Sequence, residues 1–451
     1  MEKKRLFTRY FLPLLLALLL IPAASVYTLS AFLPAGWFPV GYYVAAGIAL
    51  LVNLLPLLLC AGYSSLRLTF LGHGLTVLRA FLYSSVGSAV LQLTAACFLV
   101  PDDRKRFLIG AAICVGVEAV TFWNGIVSVY LTSAGLGIKT RVIGFLLGLV
   151  PVANVICLFR IIRTVDFELN TERCRINRNK ARKGDNVCRT KYPILLVHGV
   201  FFRDSRLFCY WGRIPKELKK NGAEVYFGNH DSAEPVAVSA AFLAERVRQI
   251  VKETGCEKVN IIAHSKGGLD CRCAIANEGI APLVASLTTV NTPHRGCLFA
   301  DYLLNKVDKG VQEKVAAAYN AAAKKLGDKS PDFLAAVTDL TDEKCKAYDA
   351  AWDKPEGIYC HSVGSVLNAP LASPFPLGLT YYLAGHFDGP NDGLVSEPSF
   401  AFGDDYTFLE IPGSRGISHA DVIDLDRADY PGFDVTEFYV GLVSDLKNRG
   451  F

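Results

Sequence analysis

At 451 residues, with 51% hydrophobic and 20% charged side chains, the chain has room for two or three domains and is too apolar for a wholly soluble enzyme. Residues 1–165 hold 13 Lys+Arg against 4 Asp+Glu, residues 166–191 hold 8 against 4, and the remainder holds 26 against 34. That split argues against a nucleic-acid partner, whose binding would need the positive charge on the folded globule, and suits a basic juxtamembrane part holding a mildly acidic one.

After Met1-Glu2-Lys3-Lys4-Arg5, an uncharged run from Phe11 to Leu33 is long enough to cross a hydrocarbon core of about 30 Å. Further apolar runs at Phe38–Cys60, Phe81–Val100, Phe107–Leu131 and Val142–Ile162 argue against a cleaved signal peptide. They predict a transmembrane domain of about five helices over residues 1–165, followed by a basic linker, 166–191. Two ionisable groups lie in or beside these runs, Arg79 and Glu118. No acidic partner for Arg79 is visible in the sequence. A lone Glu118 near Asn124 is expected to make a helix–helix hydrogen bond, with a transport pathway as the alternative.

The topology signals conflict. Lys3, Lys4, Arg5 and Arg9 place the N-terminus inside, and five crossings would then put the globular part outside. Arg173, Arg175, Arg178, Lys180, Arg182 and Lys183 instead favour retention on the cytoplasmic face. With 142–162 interrupted by Pro151 and Asn154 and read as re-entrant or interfacial, the expectation is an integral protein of the cell membrane with a cytoplasmic-facing globular domain.

From Tyr192 short β-like runs alternate with amphipathic stretches. The runs are Pro193–Val197, Glu224–Phe227, Val259–His264, Ala285–Val290, Ile358–Val363 and Thr407–Ile411. Leu243, Val247, Ile250 and Val251 recur at helical spacing before Gly255. Such alternation predicts an α/β domain over 192–451, with a mostly parallel sheet covered on both faces.

In Val259-Asn260-Ile261-Ile262-Ala263-His264-Ser265-Lys266-Gly267-Gly268-Leu269 an apolar run stops at a serine and gives way to a helix. Ala263 and Gly267, two residues to either side of Ser265, meet the need of a nucleophile elbow for small neighbours around a strained serine. The helix would then offer the unpaired N–H of Lys266 to an oxyanion. A passive serine in an ordinary strand–turn–helix is the alternative.

A serine nucleophile needs a base and a carboxylate to orient that base. His294, His361, His386 and His419 follow Ser265, and His419, after the last strand, is the expected base. Asp392, in the turn-rich Gly389–Val395, is the expected acid, with Asp388, Asp404 and Asp405 as alternatives. His198-Gly199 ends the first strand, where glycine lets the next N–H approach a substrate, so Val200 joins Lys266 as an oxyanion donor. His198 itself is expected to be a structural hydrogen-bonder. Thirteen cysteines form no CxxC pair, so free thiols are expected rather than a zinc site or a disulfide framework.

The blocks Tyr192-Pro193-Ile194-Leu195-Leu196-Val197-His198-Gly199, Tyr210-Trp211-Gly212, Glu257-Lys258-Val259-Asn260, His264-Ser265-Lys266-Gly267-Gly268, Thr292-Pro293-His294-Arg295-Gly296 and Asn391-Asp392-Gly393-Leu394-Val395 together resemble the secreted bacterial triacylglycerol lipases of the α/β-hydrolase superfamily. The resemblance covers nearly all of 192–430. It implies the α/β-hydrolase fold, Ser265 as nucleophile, Asp392 as acid, His419 as base, and Val200 and Lys266 at the oxyanion hole. It also brings departures. Those lipases use a calcium ion to tie the histidine loop to a loop before the acid; here Asp421 would match one ligand, but 367–382 holds no acidic residue for the other. No cofactor is therefore expected. Lys266 stands where an uncharged residue or histidine is usual, which would bear on acyl or head-group preference. A cysteine that some members place after the acid is absent, and the usual members are secreted whereas this chain reads as anchored.

An insertion, 300–352, falls where those lipases carry a lid. Val311, Val315, Ala318, Ala322 and Leu326 form an apolar stripe with lysines opposite, which would either seal the site until a lipid surface opens it or pack on the core. The expectation is a membrane-anchored serine hydrolase acting on lipid carboxylic esters through an acyl-enzyme, with a lipid ester and the bilayer as its partners. A lipid acyltransferase, phospholipase or thioesterase on the same triad is the alternative, as is a non-catalytic lipid-binding membrane protein. Neither a Gly-x-x-x-x-Gly-Lys phosphate loop nor a His-Glu-x-x-His metal pair is present.

Overall fold

The computed structural model describes residues 7–34, 38–60, 65–150, 152–200, 209–369, 381–382 and 389–451. The chain forms two compact units, Met1–Arg178 and Asn179–Phe451.

Among the described residues of the first unit three helices are long and apolar enough to cross a membrane, spanning Val40–Cys60, Leu66–Asp102 and Arg104–Thr132. A fourth crossing is present if Arg9–Ala24 and Val26–Phe32, bent by 54°, count as one span. The expected five included 142–162. The run 142–162 is divided between a helix Ile138–Leu146, a short turn Leu147–Leu149 and a helix Ala153–Ala181. The last of these carries charge from Arg160 onward and continues well into the segment expected to be a linker. Its acids have partners. Asp166 pairs with Arg9 at 2.5 Å and Arg79 at 2.8 Å, so Arg79 does have an acidic partner. Glu168 accepts from Arg67, Ser133 Oγ and the N–H groups of Ala134 and Gly135 at 2.5–3.0 Å.

The helices Leu66–Asp102 and Arg104–Thr132 meet through small residues. A Cβ at Gly74 would lie 2.8 Å from Ser128 Cβ, and one at Gly125 would lie 2.7 Å from Leu78 Cγ. Glu118 accepts from Ser84 Oγ at 2.8 Å and Ser88 Oγ at 2.9 Å across this seam, the helix–helix contact expected of it. Asn124 bonds to Asn53 and His73 rather than to Glu118.

Among its described residues the second unit has six strands: β1 (Ile194–Val197), β2 (Val225–Phe227), β3 (Val259–His264), β4 (Val284–Val290), β5 (Tyr359–Ser365) and β6 (Asp405–Leu409). Their order is β2-β1-β3-β4-β5-β6, and every neighbouring pair is parallel. Strand alternation divides the core. Leu195, Val197, Ile261 and Ala263 pack towards the helix Val236–Thr254, while Ile194, Leu196 and Ile262 pack with Trp211 and the helix Val435–Asn448. Gly255, at φ +69°, closes Val236–Thr254 and lets the chain turn into β3.

Four helices fill the insertion between β4 and β5: Leu298–Lys306, Lys309–Leu326, Phe333–Thr338 and Asp342–Ala351. In Lys309–Leu326 the buried residues are Gln312, Ala316 and Ala323, whereas Val311, Val315, Ala318, Ala322 and Leu326 are all exposed. The apolar stripe therefore faces outward, and the core-packing alternative does not hold. The helix rests on its alanine face, where small side chains let it lie close.

Candidate active site

At the carboxyl end of β3, Ser265 takes φ +56° and ψ −133° before the helix Lys266–Asn277 begins. Such a conformation costs a non-glycine residue roughly 1–3 kcal/mol and persists only where its surroundings enforce it. Here the Ser265 N–H donates to Val290 O at 2.9 Å. A Cβ on Gly267 would lie 2.5 Å from His198 O, and one on Gly268 would lie 2.2 Å from Thr292 Oγ1. Both positions therefore need glycine for the elbow to reach its neighbours. From the opposite side, a Cβ on Gly199 would lie 2.7 Å from Ser265 Cβ and 3.2 Å from its Oγ. Val200 follows at once in the chain and, like Ser265, is buried.

Asp392 and His419 are brought together, although 27 residues separate them in sequence. Asp392 Oδ2 lies 2.6 Å from His419 Nδ1 and accepts from Asn291 Nδ2, also at 2.6 Å. Its Oδ1 accepts from the N–H groups of Leu394 and Val395 at 2.9 and 2.8 Å. Four donors thus satisfy this fully buried carboxylate, and they leave His419 Nε2 as the nitrogen able to exchange a proton. The His419 N–H donates to Asp392 O at 2.8 Å, which fixes the backbone of the loop as well. The His419 ring lies 4.5 Å from that of His264, the residue before Ser265.

The alternative acids are engaged elsewhere. Asp404 accepts from the Cys360 N–H at 2.9 Å and pairs with Lys354, while Asp405 pairs with Tyr359 and Arg449. Asp388 lies outside the described residues. His198 stacks on His230 at 4.0 Å and directs its nitrogens to the carbonyls of Gly199 and His230, a structural placement. Asn291, at φ +48°, was not singled out from the sequence. Its signal is an Asn-Thr-Pro turn directly after a buried strand.

A family profile described as the alpha/beta hydrolase fold matches residues 192–371. A triacylglycerol lipase of Vibrio cholerae serotype O1 is 30% identical over 260 residues, covering 51% of this chain and 81% of that protein. The chain belongs to the lipase family of α/β-hydrolases. A triacylglycerol lipase of Pseudarthrobacter phenanthrenivorans is 37% identical over 179 residues, covering 37% of this chain and 55% of that relative, so the chain spans little more than half of that lipase's length. In structure, the mature lipase BlEst2 of Bacillus licheniformis is similar with a TM-score of 0.43 at 21% identity, over 56% of this chain and 92% of that one.

Two departures from the similar lipases take physical form. Asp421 does not fit a calcium ligand, because its carboxylate accepts from the Arg415 guanidinium at 2.7 and 3.2 Å and from the Ser418 N–H at 2.9 Å. Arg415 in turn lies over the Tyr430 ring, 3.6 Å from its centroid. Among the described residues, no group of three His, Cys, Asp or Glu side chains is placed to hold a metal.

Lys266 is the second departure. Its side chain is 1% exposed, with Nζ 2.7 Å from Asp270 Oδ1 and 3.0 Å from Ser239 Oγ. The partner lies one helical turn on, at i+4, which draws the ammonium inward along the helix. Burial raises the Asp270 pKa from 3.8 to about 6, with Lys266 pulling it back. Between those two values the folded protein holds a proton that the unfolded chain has released, so the contribution of this carboxyl to stability falls as pH rises through that window. Asp270→Asn is expected to remove that part of the slope when the thermal midpoint of the hydrolase is followed from pH 4 to 7; an unaltered slope would contradict the assignment.

Proposed function

We propose that this protein is a membrane-anchored serine hydrolase that cleaves carboxylic esters of lipids through an acyl-enzyme. Ser265 Oγ attacks the ester carbonyl while His419 Nε2 takes its proton, and Asp392 holds the Nδ1–H and with it the tautomer. The N–H groups of Val200 and Lys266 receive the negative charge on the carbonyl oxygen. His419 returns the proton to the departing alcohol, and a water molecule, deprotonated by the same nitrogen, releases the acid and restores Ser265.

The observation that carries this reading is the 2.6 Å contact between His419 and the fully satisfied Asp392, on the loop beside a serine held at φ +56°. Family membership supports ester chemistry, and the name triacylglycerol lipase borne by the Vibrio and Pseudarthrobacter relatives supports a lipid ester. Anchoring is supported by the three long apolar helices, whose outward side chains such as Leu58, Leu93 and Leu131 are more than two-thirds exposed while Glu118 and His73 are buried. That inside-out distribution suits helices solvated by hydrocarbon. Anchoring would hold the site beside substrates that partition into the bilayer.

The test is hydrolysis of p-nitrophenyl esters of short, medium and long acyl chains by the full-length protein in detergent micelles. Turnover that rises from acetate to medium and long chains is expected. Rates no higher than the micelle blank, on these esters and on emulsified triacylglycerol alike, would overturn the proposal.

A further inference from the structure

The hydroxyl of the buried Tyr210 stands where three segments meet. The Gly199 N–H donates to it at 3.2 Å, and it lies 2.7 Å from His264 Nδ1. Gly199 immediately precedes Val200, and His264 immediately precedes Ser265. The segment that carries Tyr210 is itself fixed to the loop that carries His419. Arg213 donates from its main-chain N–H, Nε and a terminal nitrogen to the Asp424 carboxylate at 2.7, 2.8 and 2.7 Å, and it pairs with Asp429 at 2.9 Å. Gly212, at φ +51°, passes so close that a Cβ there would lie 2.2 Å from Asp424 O.

A main-chain N–H can only donate, so the Tyr210 oxygen accepts from Gly199, while the sense of its bond with His264 Nδ1 is set by the imidazole tautomer. His264 Nε2 is a buried atom with no well-formed hydrogen bond among the described residues. The ring faces His419, and burial, followed by the charge on His419, holds the His264 pKa well below the ordinary histidine value. The His419 main chain acts on it in the opposite sense. His264 therefore stays neutral as its neighbour becomes charged, with its ring held against the histidine loop.

We propose that Tyr210 and His264 are a positioning pair, linked through the tyrosine hydroxyl, that holds the Gly199–Val200 backbone and His419 in register with Ser265. The pair touches neither substrate nor the transferred proton; it acts through the oxyanion donor on one side and the base on the other. The proposal rests on the serine-hydrolase reading. It adds that three catalytic segments, from β1, β3 and the histidine loop, are coupled at one buried hydroxyl.

The experiment compares full-length wild type, Tyr210→Phe, His264→Asn and the double variant in the same detergent. A fluorophosphonate titrates the reactive serine, so turnover is expressed per competent site. The phenylalanine keeps the packing of the ring on Trp211 and His198, whose centroids lie 5.8 and 5.6 Å away. Asparagine at 264 retains a polar partner for Tyr210 but loses the ring that packs on His419. Tyr210→Phe is expected to lower kcat per titrated serine about tenfold, the effect of one hydrogen bond of ordinary strength, with KM changed less than about twofold. Affinity for a trifluoromethyl ketone, which forms the oxyanion adduct, should fall in parallel. The double variant should be no worse than the poorer single one, because both changes break the same link.

Unchanged kcat and ketone affinity in Tyr210→Phe, losses that multiply in the double variant, or losses explained wholly by a smaller titratable fraction would each overturn the pair while leaving the hydrolase reading intact. A wild type that takes up no phosphonate would sink the hydrolase reading and the pair with it.

Discussion

Ser265→Ala is expected to lower kcat by about 10⁴- to 10⁶-fold, the range found when the nucleophile of a serine–histidine–carboxylate unit is removed. The loss should be almost purely chemical. Alanine keeps the Cβ that meets Gly199, and the N–H that bonds to Val290 O remains. The variant should therefore retain the thermal midpoint of the wild type within a few degrees and still bind substrate. A small residual rate is expected from the Val200 and Lys266 amides and from substrate binding alone. Steady-state hydrolysis of the preferred p-nitrophenyl ester measures it, and a fall of less than about tenfold would show that another group does the chemistry.

Asp392→Asn should be nearly as severe, about 10⁴-fold in kcat, for a reason legible in its four contacts. Every neighbour of the carboxylate is a donor: Asn291 Nδ2 and His419 at Oδ2, and two main-chain N–H groups at Oδ1. An amide puts an NH₂ on one side of that ring of donors. If it faces the main chain, two buried N–H groups lose their acceptor; if it faces His419, the imidazole is turned to the tautomer whose Nε2 carries a proton and cannot take another. The first arrangement also costs stability, by about 1–3 kcal/mol for each unsatisfied buried group. kcat and the thermal midpoint should therefore both fall. Retention of full turnover would mean that Asp392 does not set the state of the base.

The elbow was the most legible part of the chain because its physics is local. An apolar run, a serine and glycines at fixed spacing are all that a strand needs to turn sharply into a helix, and β3, Ser265 and Lys266–Asn277 follow that pattern. The strands of a two-sided parallel sheet were legible for the same reason. Asp392 and His419 could be chosen by chain order and turn chemistry, but their 2.6 Å contact depends on loops whose closure no short window shows. The burial of Lys266 was not legible, because a charged residue is by default solvated. Its burial depends on Asp270 at i+4, which was visible, and on Ser239, which was not.

The membrane-like unit shows the same division. The apolar runs marked Val40–Cys60 and Arg104–Thr132 well. The helix Leu66–Asp102, however, starts fifteen residues before the expected run at Phe81, through Arg67, His73 and Arg79. The partners that bring those polar groups into a helix, Glu168, Asn124 and Asp166, lie 51 to 101 residues away in sequence. Conversely, 142–162 had the composition of a span, but it is divided between the helices Ile138–Leu146 and Ala153–Ala181. Arg415 was missed as the partner of Asp421 because, six residues apart in a loop without periodic structure, the two show no spacing signal.

The most direct measurement is the site of covalent capture. Full-length protein in detergent, treated with a fluorophosphonate and digested, is expected to yield one phosphonylated peptide, modified at Ser265, with the adduct absent from Ser265→Ala and formed far more slowly in Asp392→Asn. An adduct at another serine, or none in a preparation that hydrolyses esters, would contradict the assignment of Ser265 as the nucleophile.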